Sequence, residues 1–232
     1  MRRAWPPVGM IRFGMLRRLT PIGRWFGTDR GQPIDRYYIE NFLGRHGGAG
    51  GYALGDIRGH VMEVGDAMYA PKFCVPGQVS KLDVLHVDRS NPQATIVGDL
   101  TRPETIPAGA FDCVICIQTL LVIYDVRTAV EALHRALRPG GVVLATVPGI
   151  SQAARPDVDY WGDYWRFTTK SVRRLFEEFF PADCVTVEAY GNVLAAISFL
   201  HCLAAEDLRR SELDLRDPDY ELLIAVRATK PL

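Results

Sequence analysis

The 232-residue chain lacks a long apolar run, an excess of either charge and a regular pattern of cysteines. No stretch approaches the ~20 apolar residues that span a bilayer. The longest candidate, Val193 to Leu200, is soon followed by Glu206 and Asp207. A formal net charge of zero supplies no whole-molecule field that would attract nucleic acid. We therefore expect no stable membrane insertion and no nucleic-acid partner.

Cysteine is sparse, and its five copies form an odd set without the spacing of a disulfide framework. This favours a reducing cytoplasm. Cys113 and Cys116 form a CxxC, but they lie in the apolar, strand-like run from Phe111 to Ile117, where residues three apart point to opposite faces. No second CxxC or suitably spaced histidine pair completes a metal site. We expect core cysteines and no metal.

Acidic residues are nearly missing from residues 1–30, which carry seven arginines against Asp29 alone. We treat residues 1–34 as a basic amino-terminal extension. It is interpreted as a poorly ordered tail, or as a helix whose apolar side lies against the domain. The alternative is a membrane-surface or targeting element, since arginine-rich, acid-poor segments have this character. The apolar side of such a helix would consist of Ile11, Met15 and Leu19.

From residue 56 onward, short apolar runs alternate with helical segments. Such alternation predicts an α/β fold with a mostly parallel sheet covered on both faces. The last two strands come as a separate pair, which is compatible with a final antiparallel strand. We assign residues 35–232 to one domain. The predicted strands are 60–64, 82–87, 94–98, 111–117, 142–147, 184–189 and 221–228.

Four helices are predicted from apolar spacing. The first covers Arg36 to Leu43 and is followed by a glycine-rich linker at 47–51, which lacks the Lys-Ser/Thr pair of a phosphate-binding loop. The most amphipathic helix follows a predicted N-cap at Asp125 and ends at Pro139-Gly140-Gly141. The remaining two begin near Thr168 and run from Val193 to about Leu208.

Acidic residues follow several of the predicted strands. Glu63-Val64-Gly65-Asp66 takes the first strand into a glycine turn, and Asp88 and Asp99 close the next two. An acidic side chain at the end of the second strand of a βαβ unit is placed to accept hydrogen bonds from both ribose hydroxyls. This order predicts a site for a nucleoside cofactor.

The motifs in chain order resemble the class I S-adenosylmethionine-dependent methyltransferases over roughly residues 35–230. The resemblance is to their small-molecule, methyltransferase type 11-like branch. It implies a Rossmann-like, doubly wound fold with a mostly parallel seven-stranded sheet and an antiparallel last strand. It rests on Glu63-x-Gly65, Asp88, Asp99-Leu100, Phe111-Asp112, Leu137-Arg138-Pro139-Gly140-Gly141 and Asp163-Tyr164-Trp165-Arg166-Phe167-Thr168.

The resemblance implies S-adenosylmethionine as cofactor and gives its contacts. Gly65 would let the backbone turn beneath the methionine moiety, whose ammonium Glu63 and Asp66 would receive. Asp88 would bind the ribose with Arg89 flanking the adenine. The remaining expected contacts are the adenine amine with Asp99, the adenine ring with Leu100, and the sulfonium region with Gln118 and Thr119.

The expected reaction is methyl transfer to a small polar acceptor, an oxygen of a saccharide or natural product. The base candidates are His201 and Asp163. Tyr37 and Tyr38 would act as a lid over the acceptor. The acceptor itself would be bound by Tyr164, Trp165 and Arg166.

The chain departs from the family at its glycine loop. Two of three glycines are replaced, by Ala67 and Tyr69, and the Tyr69 ring would either fill the pocket or stack on the substrate side. This motivates the alternative of a non-catalytic interaction module in a glycan-assembly pathway, with a glycosyltransferase as its partner. A short-chain nicotinamide oxidoreductase is disfavoured, because no tyrosine stands four residues before a lysine.

Overall fold

The computed structural model describes residues 14–48, 55–154 and 159–232. Residues 1–13 of the basic extension, which include Ile11, and residues 49–51 of the glycine-rich linker lie outside these residues. Leu19, which we expected to pack against the domain, is fully exposed. Residues 23–33 do contact the domain, since Gly23 donates its amide to His201 O and Arg30 pairs with Asp207 at 2.6 Å.

Within the described residues, seven strands form one sheet in the order β3-β2-β1-β4-β5-β7-β6. Strands β1 to β5 pair in parallel, and β7 runs antiparallel to both β5 and β6. The predicted fold class is confirmed. The strands are β1 (Gly59–Val64), β2 (Val79–His86), β3 (Ile96–Val97), β4 (Phe111–Ile117), β5 (Leu137–Pro148), β6 (Val185–Tyr190) and β7 (Leu223–Thr229).

Helices cover both faces of the sheet, and the sheet separates the core into two apolar clusters. Cys113 belongs to one cluster and Cys116 to the other, so the CxxC does straddle the sheet. Burial raises the pKa of Cys116 to about 12, which makes it an inert core thiol. The helices are α1 (Ile34–Gly47), α2 (Ala70–Phe73), α3 (Val126–Ala136), α4 (Thr169–Glu177), α5 (Val193–Leu200) and α6 (Arg210–Asp214).

Two predicted helix ends were wrong. Helix α3 stops at Ala136, and Leu137 already has extended backbone, so the Leu-Arg-Pro-Gly-Gly motif belongs to β5. A side chain at Gly141 would lie 2.9 Å from Phe111 O, so glycine permits the close pairing of β5 with β4. The helix from Val193 also ends early, at Leu200, because Cys202 adopts a positive φ of 57°.

No helix among the described residues is long and apolar enough to span a membrane.

Candidate active site

The sheet order reverses at β1, which has β2 on one side and β4 on the other. Ligands of open α/β sheets bind at such a point, beyond the carboxyl ends of the strands. A cavity of about 500 Å³ lies there, within the ~300–1,000 Å³ common for small-molecule sites. We call it the first cavity. Its walls are Val64, Gly65, Leu85, His86, Val87, Gly98, Asp99, Leu100, Thr101, Gln118, Thr119, Val122, Ile123, Tyr124, Trp161 and Tyr164.

The structure brings five of the nine expected cofactor residues to this cavity: Gly65, Asp99, Leu100, Gln118 and Thr119. They come from the ends of β1, β3 and β4, as expected for carboxyl ends that share one edge of a sheet. The other four, Glu63, Asp66, Asp88 and Arg89, do not line it.

Glu63 is buried, with 1% exposure, and its carboxylate is occupied by backbone amides. Oε1 accepts from Met68 N at 3.0 Å and Tyr69 N at 2.7 Å, and Oε2 accepts from Ala70 N at 3.0 Å. Burial raises the pKa of this carboxyl to about 7, although the hydrogen bonds from the Ala70 and Met68 amides act in the opposite direction. Glu63 therefore shapes the loop after β1 and does not line the cavity.

We expect Glu63→Gln to destabilise the protein by about 1–3 kcal/mol, because the new amide group points N–H donors at backbone N–H donors. Urea unfolding followed by circular dichroism measures the change. Glu104→Gln, in an exposed single-turn helix, is the control and should leave the free energy of unfolding unchanged. Equal stability of the Glu63 variant and the wild type would show that these three bonds do not hold the loop.

The loop after β1 has Gly65 at a φ of 97°. A Cβ built on Gly65 meets no atom within 4 Å, so this position faces open space in the cavity. Asn91 holds the loop by donating Nδ2 to Gly65 O at 2.7 Å and to Asp66 Oδ1 at 2.8 Å. Asp66 itself is exposed and does not line the cavity.

Tyr69 does not fill the first cavity. Its side chain is 5% exposed and packs in the cluster formed with α1, on the opposite side of the loop. The ring stacks on Phe73, and the Arg36 guanidinium lies 5.7 Å from its centre. A tyrosine is tolerated at this family glycine position because the side chain points into the core.

Asp99 is the charged wall residue of the first cavity, and one of its two carboxylate oxygens already accepts hydrogen bonds from the protein. Oδ1 accepts from Thr101 N and Thr101 Oγ1, each at 2.8 Å. Among the described residues, Oδ2 has no hydrogen-bond donor. It is therefore available to a ligand, as an adenine amine requires.

Asp88 lies outside the cavity walls, and its side chain is engaged locally. Oδ1 accepts from Ser90 N at 2.8 Å, and Tyr160 Oη lies 3.5 Å from Oδ2. Hydrogen bonds from Ser90 lower the pKa of Asp88 and keep it ionised. Arg89, next to it, is exposed.

The aromatic segment, residues 160–167, partly covers the first cavity. Trp161 and Tyr164 line it, with Trp161 edge-on to His86 at 5.6 Å between ring centres. Trp165 instead packs on the core and donates Nε1 to Ile123 O at 3.0 Å. The sequence did not point to Tyr124 or Thr101 as wall residues, although Thr101 directly follows Asp99-Leu100.

Arg166 and Asp163 bind each other instead of a ligand. Their ion pair has one contact of 2.5 Å, and Arg166 also donates to Gln152 O at 2.6 Å. The Arg166 bond lowers the pKa of Asp163, which makes this carboxylate a weak base. Both residues hold the chain after β5 by hydrogen bonds to its backbone, and neither lines the first cavity or the pocket beside it.

Three further candidates lie away from the first cavity. Tyr38 is buried and donates its hydroxyl to Leu213 O at 2.9 Å, and Tyr37 donates to Asp214. The predicted lid is therefore wrong, because these rings face α6. His201 ends α5, its Nδ1 is buried without a partner among the described residues, and it does not line the cavity.

The walls fit the expected cofactor. S-adenosylmethionine carries an adenine, a ribose and a cationic sulfonium centre. Apolar side chains of Leu85, Leu100 and Val122 offer surface to the ring, and the open position at Gly65 leaves room for a chain passing the turn. Asp99 supplies the one carboxylate among the described wall residues, which suits a cationic ligand.

Comparison with known families agrees with this geometry. Residues 76–145 match the family model described as methyltransferase domain. The match and the fold agree with the predicted class, the S-adenosylmethionine-dependent methyltransferases. A comparison with curated proteins finds no match.

Solved structures show the same fold at low sequence identity. The N-methyltransferase NodS from Bradyrhizobium japonicum, in complex with S-adenosylhomocysteine, is similar with a TM-score of 0.52 and 15% identity, over 91% of this chain and 95% of NodS. The [4+2]-cyclase SpnF has a TM-score of 0.53 and 15% identity, over 93% and 89%. An S-adenosylmethionine-dependent methyltransferase from Mesorhizobium loti has a TM-score of 0.51 and 14% identity, over 88% and 100%.

Proposed function

We propose that the protein transfers the methyl group of S-adenosylmethionine, held in the first cavity, to an oxygen of a small saccharide or natural product in the cytoplasm. The observation that carries this proposal is the position of Asp99, Leu100, Gly65 and Gln118 around one cavity at the point where the sheet order reverses. The adenine would lie by Asp99 and Leu100, and the reacting end by Gln118.

The cofactor supplies an activated methyl group on a sulfonium. The protein's task is then to align the acceptor and to exclude water. Trp161 and Tyr164 cover the cavity from the side of the aromatic segment, and Val122 and Ile123 add apolar wall. These side chains support a site where the reacting atoms meet away from bulk water.

Calorimetry with S-adenosylhomocysteine and with S-adenosylmethionine tests the cofactor site. We expect dissociation constants in the micromolar range, common for enzyme substrates. No heat with either ligand at millimolar concentration would refute the proposal. It would favour the alternative, a non-catalytic module, and co-purification with a glycosyltransferase would support that alternative directly.

Cofactor binding alone does not establish methyl transfer, because SpnF carries this fold and is named a [4+2]-cyclase. The second arm therefore incubates the protein with methyl-labelled S-adenosylmethionine and a set of saccharides, amino sugars and phenolic natural products. Label on an acceptor oxygen supports the proposal. Label confined to nitrogen acceptors would contradict the proposed acceptor atom while leaving methyl transfer intact.

A further inference from the structure

A second cavity, of about 280 Å³, adjoins the first and shares Gln118 and Val122 with it. Its other walls come from the segment that leads into α1, from residues 148–154 after β5, and from α5 and β7. The two cavities thus meet at the carboxyl end of β4. Gln118 and Val122 therefore lie between the two cavities.

Gln118 has a backbone conformation that side-chain-bearing residues rarely adopt. Its φ is 49°, and its amide donates to Thr146 O at 3.0 Å. A left-handed conformation costs such a residue about 1–3 kcal/mol and concentrates at functional sites. Here the strain turns the chain sharply between the two cavities and leaves Gln118 in the wall of both.

Asp35 brings a carboxylate to the second cavity. It lies in the first turn of α1, half-buried, beside apolar wall residues such as Phe26, Leu121 and Leu223. Its Oδ1 accepts from Arg36 N at 2.8 Å, and no side chain among the described residues donates to it. A carboxylate on an apolar wall is costly to leave without a partner.

The surroundings of Asp35 also suit proton transfer. Burial raises its pKa, while Arg36, the charged neighbour among the described residues, lowers it. The Arg36 guanidinium is placed over the Tyr69 ring rather than on the carboxylate. A carboxylate with a raised pKa accepts a proton more readily than Asp163, whose pKa is lowered by Arg166.

We propose that the second cavity binds the methyl acceptor and that Asp35 takes the proton from its nucleophilic atom. This rests on the proposed function of the first cavity. The acceptor class is a small molecule with an apolar body and one hydroxyl or amine that donates to Asp35. As the acceptor atom bonds to the methyl carbon, the carbon–sulfur bond breaks with its electron pair left on sulfur, and the released proton passes to the carboxylate.

Asp35 also has an ordinary role, since an acidic residue in the first turn of a helix interacts favourably with the helix dipole. That role predicts a small loss of stability in Asp35→Asn and no effect on the choice of ligand. The two roles therefore differ in a binding experiment that compares ligands of one shape.

The experiment uses benzyl alcohol, benzylamine and ethylbenzene as matched probes on the full chain saturated with S-adenosylhomocysteine. Binding is followed by ligand-observed NMR. We expect wild type to bind benzyl alcohol or benzylamine about fivefold more tightly than ethylbenzene, the value of one hydrogen bond, and Asp35→Asn to lose this preference. Preference for the alcohol assigns a hydroxyl acceptor, and preference for the amine alone assigns an amine acceptor.

Two variants complete the design. Glu40→Gln removes a carboxylate of α1 that pairs with Lys72 and lies outside the second cavity, so it should keep the preference. Thr28→Phe, at the exposed edge of the second cavity, should weaken the binding of all three probes and leave S-adenosylhomocysteine binding unchanged.

Equal binding of the three probes to wild type, or a preference that survives Asp35→Asn, would overturn the proposal for Asp35. These outcomes are separate from the proposed function, because S-adenosylhomocysteine binding is measured first and independently. Failure of that first measurement refutes the proposed function itself.

Discussion

Gly65→Val is expected to lower the affinity for S-adenosylhomocysteine by about 100-fold, or 2–3 kcal/mol. The glycine has a φ of 97°, and the space beside its Cα is open cavity. A valine would bring two methyl groups into the volume that the ligand needs. Isothermal titration calorimetry measures the change.

Gly77 offers a matched control. It has a φ of 82°, and a Cβ there also meets no atom within 4 Å, but it does not line either cavity. Both valine variants should therefore lose about 1–2 kcal/mol of stability from the left-handed backbone. Only the Gly65 variant should lose affinity for S-adenosylhomocysteine. Equal affinity of the two variants would place the ligand away from this turn.

Asp99→Asn is expected to lower the affinity for S-adenosylhomocysteine by about 10- to 100-fold, the usual range for a hydrogen bond to a charged group. The asparagine oxygen can still accept both bonds from Thr101, so the turn stays intact. The amide nitrogen then replaces Oδ2 and points donors at the adenine amine.

The inosine analogue of the ligand sharpens this test, because its base presents a carbonyl oxygen where adenine has the amine. Wild type should prefer the adenine ligand, and Asp99→Asn should reverse the preference. Asp88→Asn serves as the comparison, since that side chain lies outside the cavity walls and should not discriminate between the bases. An unchanged base preference in the Asp99 variant would remove Asp99 from the adenine site.

The sheet and the cavity edge could be predicted because they depend on the local order of apolar runs and of the polar residues that follow them. The apolar runs that became β1 and β4 are nearly continuous, as in strands buried on both faces. Acidic and small residues after such strands meet at one edge by geometry alone. This is why Gly65 and Asp99 were placed at one site without knowledge of their contacts, whereas Gln118 was placed there by the resemblance to the methyltransferases.

Side-chain direction on α1 could not be predicted in this way. The helix is contacted from several sides, so apolar spacing did not show which residues face the ligand. Tyr38 finds its partner at Leu213, 175 residues away in sequence, and this contact turns the aromatic pair toward α6. Asp35, only a few residues earlier, faces the second cavity instead.

Hydrogen bonds that form only in the folded chain also decided the roles of several charged residues. Arg166 was expected to bind the acceptor, but its donors are taken by Asp163 and by carbonyls of the chain after β5. Glu63 was expected to bind the cofactor ammonium, but the turn of the loop presents three amides to it. The sequence shows which side chains carry charge, whereas only the folded backbone shows which charges remain available.

Co-crystallisation with S-adenosylhomocysteine tests the central claim most directly, that the strand ends of β1, β3 and β4 enclose one nucleoside site. We predict electron density in the first cavity, with the adenine amine within hydrogen-bond distance of Asp99 Oδ2 and the sulfur near Gln118. A ligand bound elsewhere, or an adenine whose amine contacts no oxygen of Asp99, would contradict it.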